Sequence, residues 1–545
     1  MKKLFQSNRG YEINARFMTS KGRWAKIGPT AAVLVGLAIA GLYFSWTGAD
    51  VFWPGFASMM VFYGLIFYLG AQVAGKRNEG TSEDMMLAGR SIPLFIAIFT
   101  MGATWVGGGY INGTAEYTAS TGLMWVQAPW AYALSLIIGG LFFAGKMRRA
   151  RYHTMLDPLA ERFGKRVAAL FFLPALSGEL FWTAAILTAL GTTFGTVLGL
   201  DTNPAILLSA AIAIAYTALG GLWAVAITDV VQMILLMLGL VLVLPSALGE
   251  LGGLEEVWAQ YKLKHGAMAT FLPSKAALGD YYWNWWDFTL LLIFGGIGWQ
   301  VYFQRVLAAK DAKTAVRLSV LAGFICIVAA VPAVLIGMIG GVADWAAMGL
   351  PAPPDAASTL PYVVRYLTEP WVATVGLGAV AAAVMSSVDS SILSASSMAS
   401  WNVYRPLFRP DISSEALGKL LRRCIWIIGI AATLMALQIK SVYELWFLCS
   451  DFVYCLLFPA LVCALFDPKA NKWGALAGFI VAFILRFGGG DAILGIPTWI
   501  PYPMVVDGVV LFPFRTLAML SGLLTIVVVS RLVRTPAVVS NKPTN

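Results

Sequence analysis

Ala103-Thr104-Trp105-Val106-Gly107-Gly108-Gly109-Tyr110 interrupts one apolar segment of this chain, and Gly295-Gly296-Ile297-Gly298-Trp299-Gln300 interrupts another. Glycine weakens a helix because it has the most backbone freedom to lose. Unwound backbone persists at membrane depth only where it is buried in protein or lines a cavity. Either cluster alone fits close packing through small residues equally well. Their spacing favours the reading as broken helices over packing. Five spans separate the start of one interrupted segment from the start of the other. Five is odd, so the two halves cross the membrane in opposite senses. Broken first helices of inverted repeats meeting at the midplane form a transport site. Gly107, Gly108, Gly109, Gly295, Gly296 and Gly298 are accordingly read as helix breaks.

The rest of the chain sets these breaks in lipid. Of 545 residues, 59% are hydrophobic and 12% charged, and the mean hydropathy is +0.76. Soluble domains carry about 25% charged residues. Apolar runs of about 20 residues predict fourteen spans, at 28–47, 52–75, 91–111, 122–144, 167–198, 204–222, 225–247, 285–304, 316–341, 371–401, 421–438, 444–466, 473–488 and 514–530. An even number puts both termini on one face. If that face is cytoplasmic, its segments hold 31 of the 38 Lys and Arg, with Arg305 counted in a loop at 305–317. The positive-inside rule is then satisfied. The net charge of +10 is a topology signal, and nucleic acid is excluded as a partner. The basic stretch to Lys26 is long and no A-x-A site follows it, so the first span reads as uncleaved rather than as a signal peptide.

The expected fold class is an all-α polytopic membrane protein with a five-plus-five inverted-repeat core and flanking helices. Residues 1–50 supply a basic N-terminus and an extra span, and 51–90 a peripheral span and loop. The first repeat covers 91–247, an external loop 248–284, and the second repeat 285–466. Peripheral spans and a short tail fill 467–545. Enzymatic readings find little support. Two histidines, His153 and His265, cannot build a histidine metal site, and five cysteines contain no CxxC pair. No G-x-x-x-x-G-K-[ST] is present for ATP. A sensor would need a soluble signalling domain, and no soluble stretch exceeds about 40 residues.

Among the acidic residues that lie in or beside spans are Glu116, Glu179, Asp229, Asp287, Asp389 and Asp451. Carboxylates at membrane depth are expensive and usually functional. Glu116 and Asp287 fall near span ends, where water is in reach, and Asp229 near a span start also fits a helix cap. Asp389 sits in Ser386-Ser387-Val388-Asp389-Ser390-Ser391. Ala383, Ser386, Ser387 and Ser390 share a helical face, with Asp389 about 60° to the side. Hydroxyls beside a carboxylate suit a hard monovalent cation. Trp105 and Trp299 adjoin the breaks, and Trp182 lies midway along 167–198, too deep for an interfacial belt. Trp446 is a weaker fourth wall, close to a span end. Indole faces attract quaternary ammonium ions. No Lys or Arg occurs between Ser91 and Ala144 or between Pro370 and Tyr404, so an anionic substrate lacks an obvious counter-charge.

Thr104 through Glu116, Thr228-Asp229-Val230-Val231-Gln232, Trp299 through Val306 and Met385 through Ser397 together make the chain recognisable. Over about residues 55–530 it resembles the sodium/solute symporter family, most closely its choline-transporting branch. Gly298 stands where these relatives usually carry proline. The resemblance implies a leucine-transporter-like core and symport of choline or a close quaternary amine with sodium as coupling ion. Another organic solute, such as betaine, proline or a sugar, is the alternative. It also implies two cation positions. One uses the carbonyls of Ala103, Val106 and Ala383 with the hydroxyls of Ser386 and Ser387. The other uses Ser386, Asp389 and Ser390 with Asp229. Chloride as a co-ion and the oligomeric state stay open, and the expected location is the plasma membrane, in contact with its lipid.

Overall fold

Lipid offers no partner for backbone polar groups, so long apolar runs satisfy them internally as helices. The computed structural model describes residues 20–77, 82–219, 222–439 and 441–533. Helices α1 (Ser20–Trp46) and α2 (Trp53–Arg77) precede a bent pair, α3 (Leu94–Trp105) and α4 (Gly108–Ser120). Next come α5 (Leu123–Arg149), α6 (Lys165–Leu198), α7 (Thr202–Leu219) and α8 (Leu222–Glu250). A second bent pair follows, α9 (Tyr282–Gly295) and α10 (Gln300–Ala308). After it stand α11 (Ala312–Val342), α12 (Pro370–Met398), α13 (Ser414–Gln438) and α14 (Val442–Phe466). Helices α15 (Lys472–Gly488) and α16 (Phe514–Leu532) flank a small hairpin in which β1 (Val505–Val506) pairs antiparallel with β2 (Val509–Val510).

Among the described residues, nine helices are long and apolar enough to cross a membrane, or eleven if each bent pair is one span. The remaining expected segments carry shorter helices: apolar stretches at Leu34–Trp46 and Thr202–Ala215, and the 17-residue α15. The expected cytoplasmic termini lie outside the described residues.

Both interrupted segments reach further than their hydropathy suggests. The first runs to Ser120 rather than to 111, the second to Ala308 rather than to 304. The reason is burial. Almost all of α4 is packed inside the protein, so Asn112, Thr114 and Thr118 never meet lipid. A scale tuned to lipid exposure misses such a half-helix. Lipid-type surface lies instead on the outer helices, where Ile39, Leu238, Val328, Ile427 and Leu524 are exposed.

At the centre, α12 packs against α6, α8 and α2, while α3 leans on α8 and α11. Close approach depends on small residues. A methyl group on Gly107 would coincide with the Ser387 hydroxyl, so only glycine lets the first break touch α12. At the basic end of the bundle the two broken helices are stitched together. Ile92 N donates to Ala308 O, and Lys310 N to Ile92 O, each at 3.2 Å. Arg148 Nε ties onto Ala309 O at 2.7 Å.

Candidate substrate and ion site

Each bend exposes helix ends in the protein interior. Helix α3 stops at Trp105, with Val106 as its last bonded residue and Gly107 extended. Its final carbonyls therefore lack intrahelical partners. In the second break a short 3-10 turn, Gly296–Gly298, leads to Trp299, whose extended backbone opens α10. Both tryptophans are thus held at the point where a helix starts or stops.

Trp182, midway along α6, joins them. The ring centroids of Trp182 and Trp299 are 5.2 Å apart, those of Trp105 and Trp299 5.5 Å, and those of Trp105 and Trp182 6.4 Å. The planes are tilted by 33–51°, so the indoles form adjoining walls of a corner rather than a flat stack. Tyr132 bridges this corner to Trp446, at 5.3 Å from Trp299 and 5.0 Å from Trp446. Trp446 is fully buried despite lying one turn from the start of α14, and Tyr110 packs on its far side at 5.4 Å. Tyr302, one turn after Trp299, meets Trp105 edge-on at 6.1 Å. The tyrosines are contributors that sequence reading missed. Tyr302 at i+3 from Trp299 was the available signal. The indole Nε1 atoms of Trp105 and Trp299 are buried without hydrogen-bond partners. Among the described residues, no Lys or Arg stacks on these three indoles.

Directly below the first break lies the serine face of α12. Ser386 and Ser387 donate to Ala103 O at 3.2 and 3.3 Å, and Ser387 also reaches Thr104 O at 3.2 Å. Ser386, Ser387, Asp389 and Ser390 are all buried. The structure thus brings two hydroxyls onto one of the carbonyls expected to share an ion with them, with Val106 at the adjacent break. Ala383 is on α12, but its surroundings lie outside the described residues.

Asp229 and Asp389 approach the same region from α8 and α12. Asp229 Oδ2 accepts from Thr100 Oγ1 at 2.5 Å, and Asp389 Oδ1 from Thr217 Oγ1 at 2.8 Å. Asp229 Oδ1 and Asp389 Oδ2 are buried with no partner. Asp229 stands two turns inside α8, so it caps nothing. Arg305 completes the group. It belongs to no loop, because its side chain is wholly buried in α10, 3.7 Å from Asp229 Oδ2 and donating to the Ser390 hydroxyl. Charge counting placed it at the surface because α10 is polar, and its burial depends on carboxylates 76 and 84 residues away in the chain.

Three further carboxylates resolve differently. Glu179 Oε1 accepts from Val301 N at 3.2 Å, so α6 caps α10 across space, while Oε2 has no partner. Glu116 does not face water. It is buried and caps α14, accepting from Ser441 Oγ at 2.6 Å, Val442 N at 3.1 Å and Tyr443 N at 3.3 Å. Asp287 is also buried, accepting from Thr516 N at 2.7 Å and pairing with Arg515.

The profile of the sodium:solute symporter family matches residues 85–482. The chain belongs to the sodium:solute symporter family. The high-affinity choline transporter 1 of Caenorhabditis elegans is 46% identical, over 87% of this chain and 84% of that protein. The human high affinity choline transporter 1 is 45% identical, over 88% and 85%. A solved Na+-coupled sialic acid symporter in a substrate-bound outward-open state superposes with a TM-score of 0.74 at 18% identity, covering 88% of this chain and 98% of that one. At that identity the likeness is one of fold.

Proposed function

We propose that this symporter carries choline, or a close quaternary amine, into the cell together with sodium. The single observation that supports the substrate best is the corner of Trp105, Trp182 and Trp299, extended through Tyr132 to Trp446. A quaternary ammonium ion has no N–H to donate, so it favours aromatic faces over paired hydrogen-bond acceptors. A desolvated cation–π contact contributes up to about 2 kcal/mol. Three indoles therefore approach the roughly 8 kcal/mol of micromolar binding only with apolar burial added. An inside-negative potential of about 100 mV favours entry of the fixed charge by a further 2.3 kcal/mol or so. The high-affinity choline transporters among the relatives support this substrate over proline or a sugar.

In this reading, one sodium is held by Ala103, Val106, Ala383, Ser386 and Ser387, and a second by Ser386, Asp389, Ser390 and Asp229. Hydroxyl, carbonyl and carboxylate oxygens are the ligands a hard cation prefers. The unpartnered oxygens of Asp229 and Asp389 favour the second position, because buried polar atoms are rarely left unbonded without a ligand to meet. The halves 91–247 and 285–466 then act as two inverted five-helix repeats, rocking about the breaks within a bundle of about fourteen spans. Both termini are cytoplasmic, the membrane is the plasma membrane, and chloride is a candidate co-ion.

Uptake of labelled choline into proteoliposomes tests the whole reading. An inward sodium gradient is expected to drive accumulation, and tetramethylammonium to compete where proline and glucose do not. Accumulation of proline or glucose in place of choline would overturn the substrate.

A further inference from the structure

Arg305 is a buried cation whose bonding is incomplete. One terminal nitrogen, Nη1, donates to Gln304 Oε1 at 3.0 Å, the other donates to Ser390 Oγ, and Nε has no partner. Around it, Asp229 Oδ1, Asp389 Oδ2 and Glu179 Oε2 are also unpartnered. A salt bridge built only for stability would use these leftover atoms on each other, since a half-satisfied buried network is costly. Moreover, Arg305 engages Ser390 and faces Asp229, two of the four side chains assigned to the second sodium. A guanidinium and a sodium ion held by the same oxygens in a low-dielectric interior repel strongly. They cannot both keep their closest geometry.

We infer that Arg305 is a tethered counter-cation for the second ion position, withdrawn when sodium binds and linking that position to the substrate wall. In the sodium-free protein the guanidinium offsets the charge of Asp229 and Asp389. Sodium takes over the Ser390 hydroxyl and the Asp229 carboxylate and pushes the guanidinium aside. The link to substrate is mechanical. Arg305 lies on the nine-residue α10, which opens at Trp299. Six residues of helix span about 9 Å, so a short rigid rod carries an indole at one end and the guanidinium near the other. The glycine turn 296–298 gives that rod a pivot, and Glu179 holds its first turn through Val301 N. Displacing Arg305 reorients Trp299, and seating an ammonium ion against Trp299 moves Arg305. By linkage, choline must then raise sodium affinity by the same factor as sodium raises choline affinity.

This inference rests on the second ion position proposed above, and the test separates the two. Full-length protein in nanodiscs is titrated with sodium, with and without choline. Sodium half-saturation and hydrogen exchange of the 299–308 segment are followed. In the wild type, sodium alone should change exchange in 299–308 several-fold, and choline should lower the sodium half-saturation. Arg305→Gln should bind sodium about tenfold more tightly without choline, and the choline effect should shrink below twofold. Arg305→Lys keeps the charge and should stay within about threefold of wild type. Asp229→Asn should weaken sodium binding. If Asp229→Asn binds sodium normally, the ion position itself fails. If Asp229→Asn is impaired while Arg305→Gln matches wild type in affinity and linkage, only the role of Arg305 falls. Should Arg305→Gln not fold, wild-type exchange in 299–308 that ignores sodium overturns the role on its own.

Discussion

Around Arg486 every carboxylate oxygen is bonded, whereas around Arg305 three are not. Arg486 grips Asp451 with two nitrogens at 2.6 and 2.5 Å and reaches Asp491 at 2.6 Å and Gly490 O at 3.1 Å. Arg515 adds a bond to Asp451 at 3.0 Å, and Thr516 satisfies Asp287. This network joins α9 and α14 to the peripheral α15 and α16. Both groups are buried in the bundle and both mix arginine with aspartate. One is saturated, the other holds Asp229 Oδ1, Asp389 Oδ2 and Glu179 Oε2 in reserve. In the proposed reading, saturation marks a joint, and leftover bonding capacity marks the place where an ion binds.

The largest effect should come from breaking the joint. Removing one partner from a buried ion network leaves uncompensated charge and costs about 3–5 kcal/mol. Arg486→Met should therefore lose most of its monodisperse yield in detergent and melt far below the wild type, with no rescue by sodium or choline. A variant that melts normally but has altered sodium dependence would erase the contrast between the two networks.

Next in size is the aromatic corner, which has indole nitrogens to spare and belongs with the unsaturated class. Trp105→Ala, Trp182→Ala and Trp299→Ala should each weaken choline binding by about tenfold or more, roughly 1.4 kcal/mol. Phenylalanine replacements keep a weaker aromatic face and should lose less. Competition by tetramethylammonium in each variant is the measurement. Unchanged affinities would return these rings to packing and leave the substrate open.

Legibility in the sequence followed the same division. Each glycine break, the serine face and the depth of each of the three tryptophans were readable because each can be read along a single segment, without knowing a distant partner. Arg305, Glu116 and Asp287 were not, because a partner far along the chain decides whether a charge is buried or faces water. Glu116 meets Ser441 and Val442, and Asp287 meets Arg515 and Thr516. Hydropathy likewise measures contact with lipid, so it truncated α4, whose polar residues are covered by protein. Helix existence survives these blind spots, while the ends of the broken helices do not.

A smaller effect is expected on the serine face. Ser387→Ala removes one neutral oxygen from the proposed first ion position, which keeps several others, so the sodium needed for half-maximal uptake should rise by about threefold, about 0.6 kcal/mol. The melting temperature should hardly change, because the lost bonds to Ala103 O and Thr104 O are long. Sodium dependence identical to wild type would make this face a packing surface and place it with the saturated network.

Glu116 supplies the smallest effect and the cleanest check on the rule. It is as deeply buried as many functional carboxylates, yet both its oxygens are taken, by Ser441 Oγ and by the N–H groups that open α14. A negative charge at a helix N-terminus contributes about 0.3–1 kcal/mol through the helix dipole. Glu116→Gln removes the charge but keeps one acceptor for those donors, so it should cost about 0.5 kcal/mol and lower the melting temperature slightly. Choline and sodium half-saturation should stay within twofold, since the carboxylate has nothing left to offer a ligand. The opposite result, a normal melting temperature with sodium half-saturation moved fivefold or more, would show that a saturated carboxylate can still serve transport. In that case bonding capacity could no longer separate the joint at Arg486 from the group at Arg305 that is proposed to meet an ion.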